Sequence, residues 1–251
     1  MNRLINLILI SLLVTGLSNK LKAQNIPFIQ EEVIKVSGIT SGSQIFTLNK
    51  EQKQTTRSYF DGLGRIVQTI AIGASPQQRD IIAINKYDQL GRQVKNYLPY
   101  TGDNDSGRYR ADALVRQAAF YSNGTADKIA DDPAPYSQQI FENSPLQRLL
   151  QEGSVGEGFQ PGQHYKAISY RQNTAADDVW RWSSEGTRNG SYPAATLYVT
   201  QGTDEQGNQS VTFTDNQGKT VLKRQLANET VNGTVETYFD TYCLYNRGGQ
   251  P

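Results

Sequence analysis

The segment Tyr59-Phe-Asp-Gly-Leu-Gly-Arg65 is echoed by Tyr87-Asp-Gln-Leu-Gly-Arg92, and a turn signature that recurs restricts a chain to a fold made of repeated hairpins. Two looser copies follow, Thr203-Asp-Glu-Gln-Gly-Asn208 and Thr214-Asp-Asn-Gln-Gly-Lys219. Asp favours the first position of a type I turn because its carboxylate accepts backbone N–H groups two residues on. A Gly three positions later takes a left-handed conformation without a Cβ clash. Such turns join antiparallel strands. The aromatic before each strong turn and the apolar residues after it (Ile66, Val67 and Ile70; Val94, Tyr97 and Leu98) are therefore strand positions. The turn motif comprises Tyr59, Asp61, Gly64, Arg65, Tyr87, Asp88, Gly91, Arg92, Asp204, Gly207, Asp215 and Gly218.

The N-terminus has a different character. A short cationic start, Met1-Asn-Arg3, leads into an apolar run from Leu4 to Val14, and Ala23 precedes Gln24 at a plausible cleavage point. This pattern predicts a signal peptide over 1–23, since the run is far shorter than the ~20 residues of a membrane span. The mature chain is then expected to be secreted or displayed at the cell surface, with no integral span. Lys+Arg 25 against Asp+Glu 24 produces no strong field, which disfavours nucleic acid as a partner. Cys243 is the one cysteine and has no internal disulfide partner.

Along the chain, strands are predicted over Glu32–Val36 and Gln44–Leu48, with a further strand-length run from Asp80 to Tyr87. Later strands are expected at Tyr165–Tyr170, Val179–Trp182, Ala195–Thr200, Gln209–Thr214, Lys219–Leu226 and Thr234–Leu244. Between them, Arg108 to Tyr121 spaces Ala111, Leu114, Val115, Ala118 and Ala119 as one helical face. Ser144-Pro-Leu-Gln147 has the form of a capping box and predicts a second helix running to Gly153. The expected fold is mainly β: an antiparallel hairpin sheet with a small α-helical insert around 106–152. The expected organisation is a signal peptide at 1–23, N-terminal strands at 24–56, a β domain at 57–226 and a degenerate or truncated tail at 227–251.

The Y-D-x-x-G-R pattern resembles the YD repeat of RHS-type bacterial proteins and teneurin-like ectodomains. Ser58-Tyr-Phe-Asp-Gly-Leu-Gly-Arg65, Tyr97-Leu-Pro-Tyr100, Tyr136-Ser-Gln-Gln139, Ser144-Pro-Leu-Gln147 and Asp178-Val-Trp-Arg-Trp182 also resemble an uncharacterised domain that precedes those repeats in secreted RHS proteins. The resemblance implies a non-catalytic wall whose partners are further YD-repeat segments of a shell. In full-length relatives that shell encloses a C-terminal effector, often a toxin. The tail from Leu244 to Pro251 carries no further D-x-x-G turn and reads as a truncated version of that plan.

Catalytic chemistry is sparse. His164 is the one histidine, and no G-x-S-x-G elbow accompanies it. One His and one Cys fall short of a zinc site, so no metal and no cofactor are expected. Gly153-Ser-Val-Gly-Glu-Gly158 lacks the Lys of a phosphate loop. Asp103 and Asp105 resemble a fragment of a calcium loop but lack its distal Glu. Trp180 and Trp182, two apart in a strand, share a face and suggest an alternative function in surface adhesion or carbohydrate binding.

Overall fold

The computed structural model describes residues 26–122, 124, 129–231 and 234–246. The expected signal peptide therefore lies outside the described residues. In chain order the elements are β1 (Phe28–Ile34), α1 (Gly42–Thr47), β2 (Lys53–Phe60), β3 (Ile66–Ile72), β4 (Ile81–Ile84), β5 (Lys95–Tyr97), β6 (Tyr100–Thr101), α2 (Ala113–Phe120), β7 (Tyr136–Phe141) and β8 (Leu149–Gly153). They continue with β9 (Lys166–Gln172), β10 (Trp180–Trp182), β11 (Arg188–Ser191), β12 (Tyr198–Thr203), β13 (Gln209–Thr214), β14 (Thr220–Val231) and β15 (Thr234–Tyr242). The protein is mainly β with antiparallel sheets, and it divides into two units: Met1–Ile84 with Pro99–Ala113, and Asn85–Leu98 with Leu114–Pro251.

The first unit is a five-stranded sheet in the order β1-β2-β3-β4-β6. Its strands alternate, so Tyr59, Gln68, Ile70, Ile82, Ile84 and Tyr100 fall on one face, and all six are buried. The segment 102–112 lies across that face. Its start continues the pairing with the β4 strand, the Gly102 N–H donating to the Asp80 carbonyl and the Asp80 N–H to the Asn104 carbonyl (both 2.8 Å), and beyond that its backbone is held by buried polar side chains. Gln68 donates through Nε2 to the Arg110 carbonyl (3.1 Å) and accepts the Arg110 N–H on Oε1 (2.9 Å). The Tyr59 hydroxyl donates to the Gly107 carbonyl (2.5 Å). Asp80, fully buried, accepts the Gly107 N–H (2.9 Å) and pairs with the Arg110 guanidinium (3.2 Å). A buried polar group is tolerable only with such partners, and here the partners are the loop itself.

The second unit is an eight-stranded sheet in the order β15-β14-β13-β12-β9-β8-β7-β5. The hairpin β10–β11 is inserted between β9 and β12, which pair directly with each other. Its core is formed by Val179, Leu197, Val199, Phe213, Val221 and Leu222, with Tyr192, Val211 and Tyr242 packed against them. Asn173 ties the return loop to this core. Its side chain accepts the N–H groups of Thr196 (2.9 Å) and Leu197 (2.8 Å) and donates to the Pro193 carbonyl (2.9 Å).

Three local expectations are corrected. Gln44–Leu48 is not a strand but part of α1, because Gln44 reaches back to accept the N–H groups of Thr40 (2.8 Å) and Ser41 (3.1 Å), a true capping box. Ser144–Gly153, read as a capped helix, is a turn followed by β8. There the Glu142 carboxylate outcompetes a helix: it accepts from Ser144 Oγ (2.6 Å), the Arg148 N–H (3.3 Å) and Arg148 Nη2 (2.8 Å), and Gln147 turns left-handed at φ 49°. The helix within 108–121 exists as α2, but its inner side is Leu114, Gln117 and Phe120, while Val115 is exposed. Gln117 occupies the core position because its Nε2 donates to the carbonyls of Leu98 (3.3 Å) and Pro135 (2.8 Å).

Arg148 and Ser144 hold the Glu142 carboxyl down to about 2. Arg171 and the Thr174 N–H do the same for Asp177, also to about 2. A carboxyl depressed in the folded state stabilises it above the unfolded value, near 4, and that contribution disappears as pH falls towards 2. Thermal unfolding followed at pH 6, 4, 3 and 2 is therefore expected to show little change between the first two and a progressive fall below 4. Arg171→Met is expected to flatten that fall.

Candidate functional site

The recurring turn is where this chain concentrates its specific chemistry. In the β2–β3 connection, the Asp61 N–H donates to the Arg65 carbonyl (2.9 Å) and the Gly64 N–H donates to the Asp61 carbonyl (3.1 Å). Asp61 Oδ1 accepts the N–H groups of Leu63 and Arg65, both at 2.9 Å, and Oδ2 pairs with Arg65 Nε at 2.8 Å. The Asp88 turn repeats each of these bonds with Leu90, Gly91 and Arg92. The Asp204 turn joins β12 to β13, and Asn208 Nδ2 takes the place of the arginine at 2.8 Å from Oδ2. The Asp215 turn joins β13 to β14 and keeps the Oδ1 bonds, to the N–H groups of Gln217 and Lys219 at 2.9 Å. In all four the Gly is left-handed, with φ between 75° and 88°. Backbone donation from Arg65 is the main reason the Asp61 carboxyl lies below its usual range, and Arg92 acts in the same way on Asp88.

Two further copies escaped the sequence reading because neither has the D-x-x-G form. Ser183 closes the β10–β11 hairpin: its N–H donates to the Thr187 carbonyl (2.8 Å), and its Oγ accepts from Glu185 and Thr187, with Gly186 at φ 79°. Ser75 closes β3–β4 with the same backbone pair to Arg79 and Gln78, and Gln78 occupies the left-handed position at φ 55°. A residue with a Cβ costs about 1–2 kcal/mol there, against about 0.4–1 kcal/mol of extra unfolded-state freedom for Gly. Gln78→Gly is accordingly expected to stabilise the protein by about 0.5–1 kcal/mol in urea unfolding, whereas Gly64→Val destabilises it by about 1–3 kcal/mol.

The apolar side chains at the two strong turn tips, Leu63 and Leu90, are exposed, so the shared Leu is not a core anchor. Tyr59 is buried, and the Tyr87 hydroxyl accepts from Gln93 (3.0 Å). The Arg92 guanidinium lies 4.6 Å from the centre of the Phe141 ring. The Asp, Gly and Arg of the motif thus fix their own turn, while Tyr59 and Arg92 also reach outside it, to the Gly107 carbonyl and the Phe141 ring.

The structure brings Trp180 and Trp182 together, with ring centres 6.0 Å apart. Trp180 is engaged on several sides. The Arg188 guanidinium sits 3.8 Å above its ring, Tyr242 stacks nearly parallel at 6.2 Å, and its Nε1 donates to Asp178 (3.1 Å). Trp182 meets Tyr242 edge to face at 5.7 Å. These contacts anchor the β10–β11 hairpin to β15. Trp182 also borders a hollow of about 200 Å³ whose other walls include Tyr192, Asp215, Lys219 and Tyr245.

The remaining reactive groups are dispersed. His164 Nδ1 lies 3.1 Å from the Gly158 carbonyl oxygen, and its ring is near Phe159. Cys243 is a half-buried free thiol in the wall of the hollow. Asp103 and Asp105 are committed to cations of the chain, Arg110 and Lys50 respectively, so the calcium-loop likeness does not extend to free carboxylates. Among the described residues no three His, Cys, Asp or Glu side chains are grouped to hold a metal, and no helix is long and apolar enough to cross a membrane.

The model of a domain of unknown function, DUF6443, matches residues 32–172, more than half of the chain. The chain belongs to the DUF6443 family. No curated protein matches it. The DUF6443 region starts within β1 and ends with the last residue of β9. It includes the turns at Asp61, Ser75 and Asp88, and stops short of Trp180, Trp182 and the turns at Asp204 and Asp215.

Proposed function

We propose that this DUF6443 protein is a non-catalytic scaffold that supplies strands to a larger β shell, of the secreted RHS/YD-repeat kind its turn motif resembles. The observation that carries this reading is β15. It is the nine-residue edge of the eight-stranded sheet, and its outer side has no partner among the described residues. The strand Thr-Val-Glu-Thr-Tyr-Phe-Asp-Thr-Tyr contains no Lys, Arg or Pro, the residues with which proteins usually guard an edge. Tyr238 and Phe239 are exposed on it, 42% and 47%. Asp240 does not guard the edge either, because Arg224 holds both its oxygens, at 2.8 and 2.9 Å. In this reading the side-chain chemistry of the turns is spent on fixing hairpin register, the export signal at 1–23 places the product outside the cytoplasm, and the partners are further β segments of the same shell.

The test is sedimentation equilibrium of the mature chain over a wide concentration range. Association that increases with concentration, and that Tyr238→Lys with Phe239→Lys reverses, is the expected result. A monomer at every concentration, with or without the substitutions, contradicts the proposal.

A further inference from the structure

We propose that the hollow beside Trp182 binds one ring of a neutral carbohydrate, with Asp215 as its hydroxyl acceptor. The first ground is a departure within the repeated turn. In three sister turns the second carboxylate oxygen is occupied by the residue four places on: Arg65, Arg92 and Asn208. In the Asp215 turn that residue is Lys219, whose ammonium lies instead 5.2 Å from the centre of the Tyr245 ring. Asp215 Oδ2 accepts no hydrogen bond among the described residues, and Asp215 is the turn aspartate that borders the hollow. The second ground is Trp182. Its indole borders the hollow, and its buried Nε1–H has no acceptor among the described residues, so binding that shifts the ring lets a ligand oxygen supply one. The third is the composition of the walls. Tyr192 and Tyr245 offer ring surface to C–H groups, while Gln217, Lys219 and Asp215 offer donors and acceptors at the rim. One carboxylate and one ammonium cancel, which suits a neutral hydroxylated ring better than a phosphate or a polycation. The site uses Trp182 rather than Trp180, whose ring and N–H are already engaged.

This inference stands apart from the scaffold reading, since it concerns a single chain and its failure leaves edge association untouched. Trp180 and Trp182 are the only tryptophans, so intrinsic fluorescence reports the hollow directly. The full mature chain is titrated with glucose, galactose, mannose and N-acetylglucosamine. A saturable change with at least one of them at millimolar concentration is expected, weakened about tenfold by Asp215→Asn, which keeps the turn acceptor but loses the charge. Trp182→Phe keeps a ring, loses the N–H and is expected to weaken binding by a similar factor, read on Trp180. No saturable change with any of the four sugars, or binding that both substitutions leave unaltered, overturns the proposal.

Discussion

Phe213→Ala is expected to cost about 3–5 kcal/mol, the range for truncating a fully buried aromatic. Phe213 has no exposed surface and sits at the centre of the cluster of Val179, Leu197, Val199 and Leu222. Those neighbours come from two loops and from the two strands that pair with β13, so no single element can move in to fill the cavity. The Arg224 guanidinium, 5.6 Å from the ring centre, loses an apolar floor as well. Phe213→Leu keeps most of the volume and is expected to cost less than half as much. Urea unfolding followed by tryptophan fluorescence is the appropriate measurement, because Trp180 and Trp182 both belong to this unit. A loss below about 1 kcal/mol for Phe213→Ala would mean that the cluster is not the core of the unit.

Asp80→Ala is expected to cost the five-stranded unit about 3 kcal/mol or more, by a different route. Asp80 is fully buried and accepts from Gly107 (2.9 Å), Gly73 (3.3 Å) and Arg110 (3.2 Å). Its removal strands two backbone N–H groups and leaves Arg110, whose side chain is 9% exposed, with Asp103 as its remaining carboxylate. Arg110 keeps that 2.7 Å bond, which places the cost nearer the lower end of the range for breaking a buried ion pair. Asp80→Asn retains an acceptor of the same shape and is expected to fall between Ala and the native residue. Circular dichroism during urea unfolding checks the order. If Ala and Asn were equally mild, segment 102–112 would be held chiefly by Gln68 and Tyr59.

These two sites differ in how far they can be read from sequence. Phe213 falls inside a strand whose predicted bounds, Gln209–Thr214, agree with the structure, and its alternation with Thr212 and Thr214 marks it as inward-facing. Asp80 stands at the head of an apolar run and looks like an ordinary strand boundary. Its role depends on Arg110, thirty residues away, which no local pattern reports. The same contrast runs through the turns. Four copies were visible because Asp and Gly are the usual choices for an acceptor and a left-handed residue. The copies at Ser75 and Ser183 use Ser as acceptor, and Ser75 accepts Gln78 in the strained position, so only the hydrogen bonds disclose them.

The capping signals show how a short motif misleads when a stronger acceptor is nearby. Ser41-Gly-Ser-Gln44 and Ser144-Pro-Leu-Gln147 have the same form, but only the first caps a helix. At the second, Glu142 lies close enough to bind Ser144 and Arg148 together, and the chain reverses instead. In α2 the apolar spacing indicated a helix correctly and its inward face incorrectly. The buried position belongs to Gln117, whose amide meets two loop carbonyls that sequence alone does not bring near it. The tryptophans were legible as a pair on one face. Their engagement by Arg188 and by Tyr242, sixty residues on, was not.

The proposed role rests on an edge strand that adds a neighbour. Amide hydrogen exchange on the mature chain at low and high concentration tests this most directly, because an edge that gains a strand gains backbone hydrogen bonds at defined residues. The account predicts that protection rises with concentration along 237–242 in β15, while the interior strand β12 is unchanged. Exchange in β15 that stays the same at every concentration would contradict it.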